Sequence, residues 1–172
     1  MRARLLSTVV AALVIAAVST VATVAPASAA PTKKGQTVVS LSSGAAALLG
    51  ELGVAVGTTG PAYPSGTGIA FPVVGRTGDA VIQHVGGLSF TAGETTVTIE
   101  NFWIDTDPEA LVVTGIVDDT VRVPLFTLGA STPQGISLLL TDAAADYLNE
   151  SFGVTDFAEG VVIGYGAPAE IS

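Results

Sequence analysis

The 172 residues contain no cysteine. That excludes disulfide staples, a thiol nucleophile, thiolate metal ligands and a lipid-modified cysteine. There is one histidine, His84, so an H-E-x-x-H zinc site cannot form. No G-x-S-x-G elbow is present. Cations are scarce, six Lys and Arg against 15 Asp and Glu. Such a chain repels nucleic acid and anionic membrane surfaces. Aromatic rings are also few, with a single tryptophan, Trp103. A glycosidase built on a carboxylate pair remains open by composition, but sugar clefts usually offer more stacking rings than this chain owns.

What is present begins with an export signature. Arg2 and Arg4 precede an apolar run from Leu5 to Val18, and Ala27-Ser28-Ala29 forms an A-x-A cleavage site. Residues 1–29 are therefore expected to be a secretory signal peptide, leaving Ala30 as the new N-terminus. The alternative is a permanent membrane anchor, but Ser7, Thr8, Ser19 and Thr20 break or bound the run. Without an Arg-Arg pair the general secretory route is expected, and no stable membrane insertion after cleavage. The remaining 143 residues suffice for one domain with a substantial core. They keep only Lys33, Lys34, Arg76 and Arg122 against all 15 acids, a net charge of −11 with histidine neutral. Residues 30–36 read as a loose polar arm, and 37–172 as a single β-rich domain.

The central stretch is Val81 to Thr106. Leu88 and Phe90 alternate with Ser89 and Thr91, Gly93 suits a tight turn, and Thr95 to Thr98 is β-branched throughout. Val97 and Ile99 share one phase, whereas Phe102 and Ile104 share the other. Either a bulge near Glu100-Asn101 or a strand covered on both faces explains the shift; the bulge is preferred, and it turns Trp103 away from the main core.

Elsewhere, strands are expected at Thr37–Leu41, Val54–Val56, Ile69–Val74, Leu111–Val117, Val121–Leu128, Ile136–Leu140 and Val161–Tyr165. Gly57 to Gly68 reads as a loop carrying Tyr63. Pro72 and Pro124 imply edge positions or bulges. Ser42 or Ser43 caps a helix with apolar positions at Ala45, Leu48, Leu49 and Leu52, ended by Gly53. Thr141 caps a second over Ala143 to Phe152, ended by Gly153. The two units echo each other, a strand running into a capped, alanine-rich helix, and read as plugs at the ends or at one open side of the sheet. The expected fold is mainly β: an antiparallel β-sandwich or partly open barrel with two short flanking α-helices.

Three segments carry a family likeness. They are Phe71-Pro72, the run Val81-Ile82-Gln83-His84-Val85-Gly86-Gly87-Leu88, and Leu140-Thr141 followed by Ala143-Ala144-Ala145 and a glycine-containing final strand. Together they resemble the HtaA-type domain of secreted envelope proteins of actinobacteria, some of which bind haem. The resemblance implies a cell-envelope module and, through His84, a haem site. The iron-ligating tyrosine of the haem-binding members has no counterpart between Val38 and Leu52; Tyr63 lies in the next loop.

Candidate chemistry is limited. His84 can ligate haem iron, act as a base, or simply hydrogen-bond a neighbouring carbonyl. Gly86-Gly87 beside it fits close ligand approach or a bulge. Asp105, Asp107 and Asp118, with Glu109 and Asp119, could gather oxygens for calcium, or be solvated turn residues. Gly164-Tyr165-Gly166 lacks the following helix of a dinucleotide loop. Asn149-Glu150-Ser151 matches a glycosylation sequon by pattern. The expected function is a secreted, non-enzymatic binding or structural module with no required cofactor, whose partner is an envelope protein or a small ligand. The alternatives are a haem or small-ligand binder using His84 and Tyr63, and a carboxylate-pair hydrolase.

Overall fold

The computed structural model describes residues 35–169. The expected signal peptide, and the arm up to residue 34, lie outside the described residues. In chain order the elements are β1 (Gln36–Leu41), α1 (Ser43–Glu51), β2 (Ala55–Thr59), β3 (Tyr63–Ser65), β4 (Gly68–Thr77), β5 (Val81–His84) and β6 (Gly87–Ala92). There follow β7 (Thr95–Asp105), β8 (Val112–Val117), β9 (Val121–Thr132), β10 (Gly135–Leu140), α2 (Asp142–Phe152) and β11 (Val162–Ala169). Gln36, expected in the arm, already pairs with Ala169 and Pro72.

The strands are antiparallel and run β7-β5-β4-β1-β11-β10-β9-β8, and β8 returns to β7. This is a closed eight-stranded barrel, not a sandwich and not an open one. Closure has a steric basis. Where Gly115 stands, a Cβ would fall 2.6 Å from Leu125 Cδ1 and 3.0 Å from Ile99 Cγ2. At Gly164 it would fall 2.5 Å from the Ser40 carbonyl oxygen. Gly115 on β8 thus leaves room for Leu125 and Ile99 in a narrow lumen, which an eight-stranded barrel can just fill, and Gly164 on β11 lets the β1 backbone approach closely.

The central hairpin forms as its pattern requires. Leu88 faces Ile99 and Phe90 faces Val97, with Gly93 at φ 59° in the two-residue turn. The bulge lies where the apolar phase shifts: the β7–β8 register slips between Glu100 and Trp103, and Asn101 has φ 54°. Opposite it, β5 and β6 lie end to end along one edge of β7, joined across Gly86, whose carbonyl accepts from Asn101 N–H at 2.9 Å. Val97, Ile99 and Phe102 are all buried, whereas Trp103 is 39% exposed under the Arg122 guanidinium, 4.1 Å from its ring centroid.

One of these expectations needs correction and one is resolved. The supposed loop Gly57–Gly68 contains the end of β2 and all of β3, which pairs with β4. Of the two alternatives for Pro72 the edge fails, because β4 is flanked by β1 and β5, and the bulge holds, as a register slip between Val73 and Gly75 just beyond it.

The helices occupy one end. β1 and β10 are both antiparallel to the strand between them, β11, so they point the same way and deliver α1 and α2 to the same rim. Ser42 caps α1 by accepting Ala45 N–H at 3.0 Å and donates to the Val162 carbonyl at 2.7 Å. Thr141 caps α2 by accepting Ala144 N–H at 3.2 Å and donates to the Pro124 carbonyl at 2.9 Å. Each cap therefore also fastens its helix to a neighbouring strand. Ala45, Leu49, Ala144 and Leu148 are buried over Leu125 and Leu140, leaving a void of only about 30 Å³.

Candidate functional site

Inside the barrel, Thr37, Val39 and Leu41 of β1 face Phe71, His84 and Phe102 around an apolar cavity of about 70 Å³. His84 is 2% exposed. Its Nδ1 lies 3.3 Å from the Phe102 carbonyl oxygen and its Nε2 lies 2.8 Å from Thr37 Oγ1. A carbonyl only accepts, so Nδ1 carries the proton and Nε2 accepts from the Thr37 hydroxyl. Burial pushes the His84 pKa below its ordinary value, against the raising influence of the backbone bonds at Phe102 and Ile82. The imidazole is neutral, oriented and fully engaged.

Thr37 also faces the other way. At the end opposite the helices, the start of β1, the end of β11, β4 beyond its bulge and β5 surround an open basin of about 670 Å³. Val73, Ile82 and Pro168 supply apolar walls, Thr37 the floor, and Arg76 a cation at the lip. Strand alternation places these side chains on the lumen side: Thr37 is in phase with Val39, and Ile82 with His84. The basin is thus the mouth of the barrel, and the Thr37–His84 pair separates it from the inner cavity.

The other sequence-derived candidates fall elsewhere. Tyr63 donates its hydroxyl to Gln36 Oε1 from β3, and lines neither the inner cavity nor the mouth. Asp105 and Asp107 stand at the mouth end, where their carboxylates accept the Asp107 and Glu109 N–H groups. Asp118 stands at the helix end, beyond Val117 of β8. Six residues of strand, roughly 20 Å at about 3.3 Å per residue, separate the two groups, so the three carboxylates do not meet. Among the described residues no three His, Cys, Asp or Glu side chains gather as a metal site.

Asp118 instead accepts from Thr98 N–H at 2.7 Å, from the Thr98 hydroxyl at 3.2 Å and from the Tyr147 hydroxyl of α2. Burial alone would raise its carboxyl, but those bonds outweigh it and hold the pKa below the ordinary value. Asn149 of the sequon spends its amide on Phe157, accepting N–H at 3.1 Å and donating to the carbonyl at 2.9 Å.

Haem does not fit against His84. Iron would have to displace Thr37 from Nε2, and the space on the inner side, about 70 Å³, is well below the roughly 300–1,000 Å³ of ordinary small-molecule pockets. The mouth itself was not anticipated from the sequence. Its one readable sign was Thr37, a polar residue in phase with Val39 and Leu41. No family model, curated protein or solved structure matches the chain.

Proposed function

We propose that the chain is exported and works at or outside the cell envelope as a non-enzymatic binding module, taking a small ligand into the open mouth of its barrel above the Thr37–His84 pair. The observation that carries this reading is the basin of about 670 Å³ formed by inward-facing residues at the one end the helices leave uncovered. Its size falls within the rough 300–1,000 Å³ range of small-molecule sites, and its lining sets the apolar Val73, Ile82 and Pro168 beside the polar Gln36, Thr37 and Arg76. The engagement of both His84 nitrogens supports a binding floor over a proton-transfer base, which needs a free lone pair towards its substrate. The likeness to HtaA-type domains supports the envelope as its place of work.

The test uses Nile red, a neutral fluorophore whose emission shifts blue in apolar surroundings. Saturable one-to-one binding is expected, lost in Val73→Trp and Ile82→Trp, which fill the mouth, while circular dichroism stays unchanged. Saturable binding indifferent to both substitutions would overturn the reading.

A further inference from the structure

We infer that the ligand of the mouth is a small amphipathic carboxylate, its head on Arg76 and its hydrocarbon part against Val73, Ile82 and Pro168. This rests on the mouth being a ligand site. Arg76 is the cross-strand partner of Ile82, so it shares the lumen side of the wall with that residue. Among the described residues Arg76 makes neither a hydrogen bond nor an ion pair, in a chain with 15 acidic residues. Arg122 is the useful contrast: it stacks on Trp103 and reaches the Thr114 carbonyl and hydroxyl at 3.4 and 3.2 Å. A guanidinium offers five donors in a planar fork whose natural counterpart is a carboxylate.

Among the described residues no acidic side chain lines the basin. Asp79, in the β4–β5 turn three residues from Arg76, neither lines the basin nor pairs with that arginine, and Asp105 and Asp107 at the same end accept backbone N–H groups of their own turn. The floor fixes the orientation of the guest. Because Nδ1–H is committed to Phe102, the Thr37 hydroxyl proton goes to Nε2. Thr37 therefore has no hydroxyl proton to offer a carboxylate in the mouth. The head must go to the lip, and apolar carbon to the walls, where each buried methylene is favourable.

Isothermal titration of octanoate and of 1-octanol, equal in chain length and different in head, decides the point. The expected result is at least tenfold tighter binding of octanoate. Arg76→Gln should erase that margin and Arg76→Lys should keep part of it, with unchanged circular dichroism in both variants. Equal affinity for the two molecules, or a margin that survives Arg76→Gln, overturns the carboxylate and leaves the mouth standing. So does a lack of octanoate binding where Nile red still saturates the mouth. If none of the three molecules binds, the mouth reading falls with it.

Discussion

At one end of the barrel, Ala45, Leu49, Ala144 and Leu148 press onto Leu125 and Leu140, and two hydroxyl caps tie their helices to strand carbonyls. At the other, the walls are Val73, Ile82 and Pro168, the floor is a threonine on a histidine, and the lip carries an arginine. The first end leaves about 30 Å³ unfilled, the second about 670 Å³ open. Close packing concentrates stability where it occurs. The barrel therefore keeps its cohesion at the helix end and leaves the mouth free to meet a ligand. This division of labour is open to attack from both sides.

The largest effects should come from the helix end. Phe90 and Ile99 are 7% and 5% exposed and both border the void beneath the helices. Phe90→Ala and Ile99→Ala should each cost about 2–5 kcal/mol in urea unfolding. Ile82→Ala, in the half-buried mouth wall, should cost less than about 1.5 kcal/mol, because part of that surface is already solvated. If Ile82→Ala proved the costlier change, stability would reside at the wrong end.

Much of the helix end was legible in the sequence. Ser42, Thr141, Gly53 and Gly153 are local signals, and both caps form where the pattern places them. The phase shift between Ile99 and Phe102 also announced its own bulge. Barrel closure was not legible, since pairing β7 with β8 as well as β5 and β6 depends on sheet curvature that no short window encodes. Nor was the mouth. The bulge between Val73 and Gly75 hides the phase that brings Arg76 level with Ile82. Asp105 and Asp118 look like near neighbours across a hairpin, yet β8 holds them apart at opposite ends.

The next effect tests the floor. His84 has a folded pKa below its ordinary 6.5 because it is buried. The unfolded chain therefore binds more protons as pH falls, and stability should rise with pH in that interval. The contribution is complete above about pH 6.5 and is lost progressively below it, until the folded histidine itself protonates. The slope cannot exceed about 1.4 kcal/mol per pH unit for one proton. Urea midpoints between pH 7 and pH 5 should fall in the wild type and flatten in His84→Gln. An equal slope in both would assign the titration to the carboxylates.

Smaller again are the caps. Thr141→Ala removes a bond to Ala144 N–H and one to the Pro124 carbonyl, and Ser42→Ala loses the matching pair. Each should cost about 1–2 kcal/mol by thermal unfolding. Thr141→Ser, which keeps the hydroxyl, should recover most of the loss. Failure of that rescue would mean that the methyl group, not the cap, holds α2 in place.

The smallest effect is expected at Arg76. Arg76→Gln should change unfolding stability by no more than about 0.5 kcal/mol, because the side chain is exposed and holds no partner among the described residues. One cation fewer on an acidic protein adds a little self-repulsion, which salt at about 0.15 M screens beyond roughly 8 Å. Arg122→Gln should cost more, since it gives up the Trp103 face and the Thr114 bonds. The two arginines thus divide as the two ends do, one serving the fold and the other held in reserve for a guest. A stability loss at Arg76 equal to that at Arg122 would give the mouth arginine a structural duty and remove its claim to be waiting for an anion.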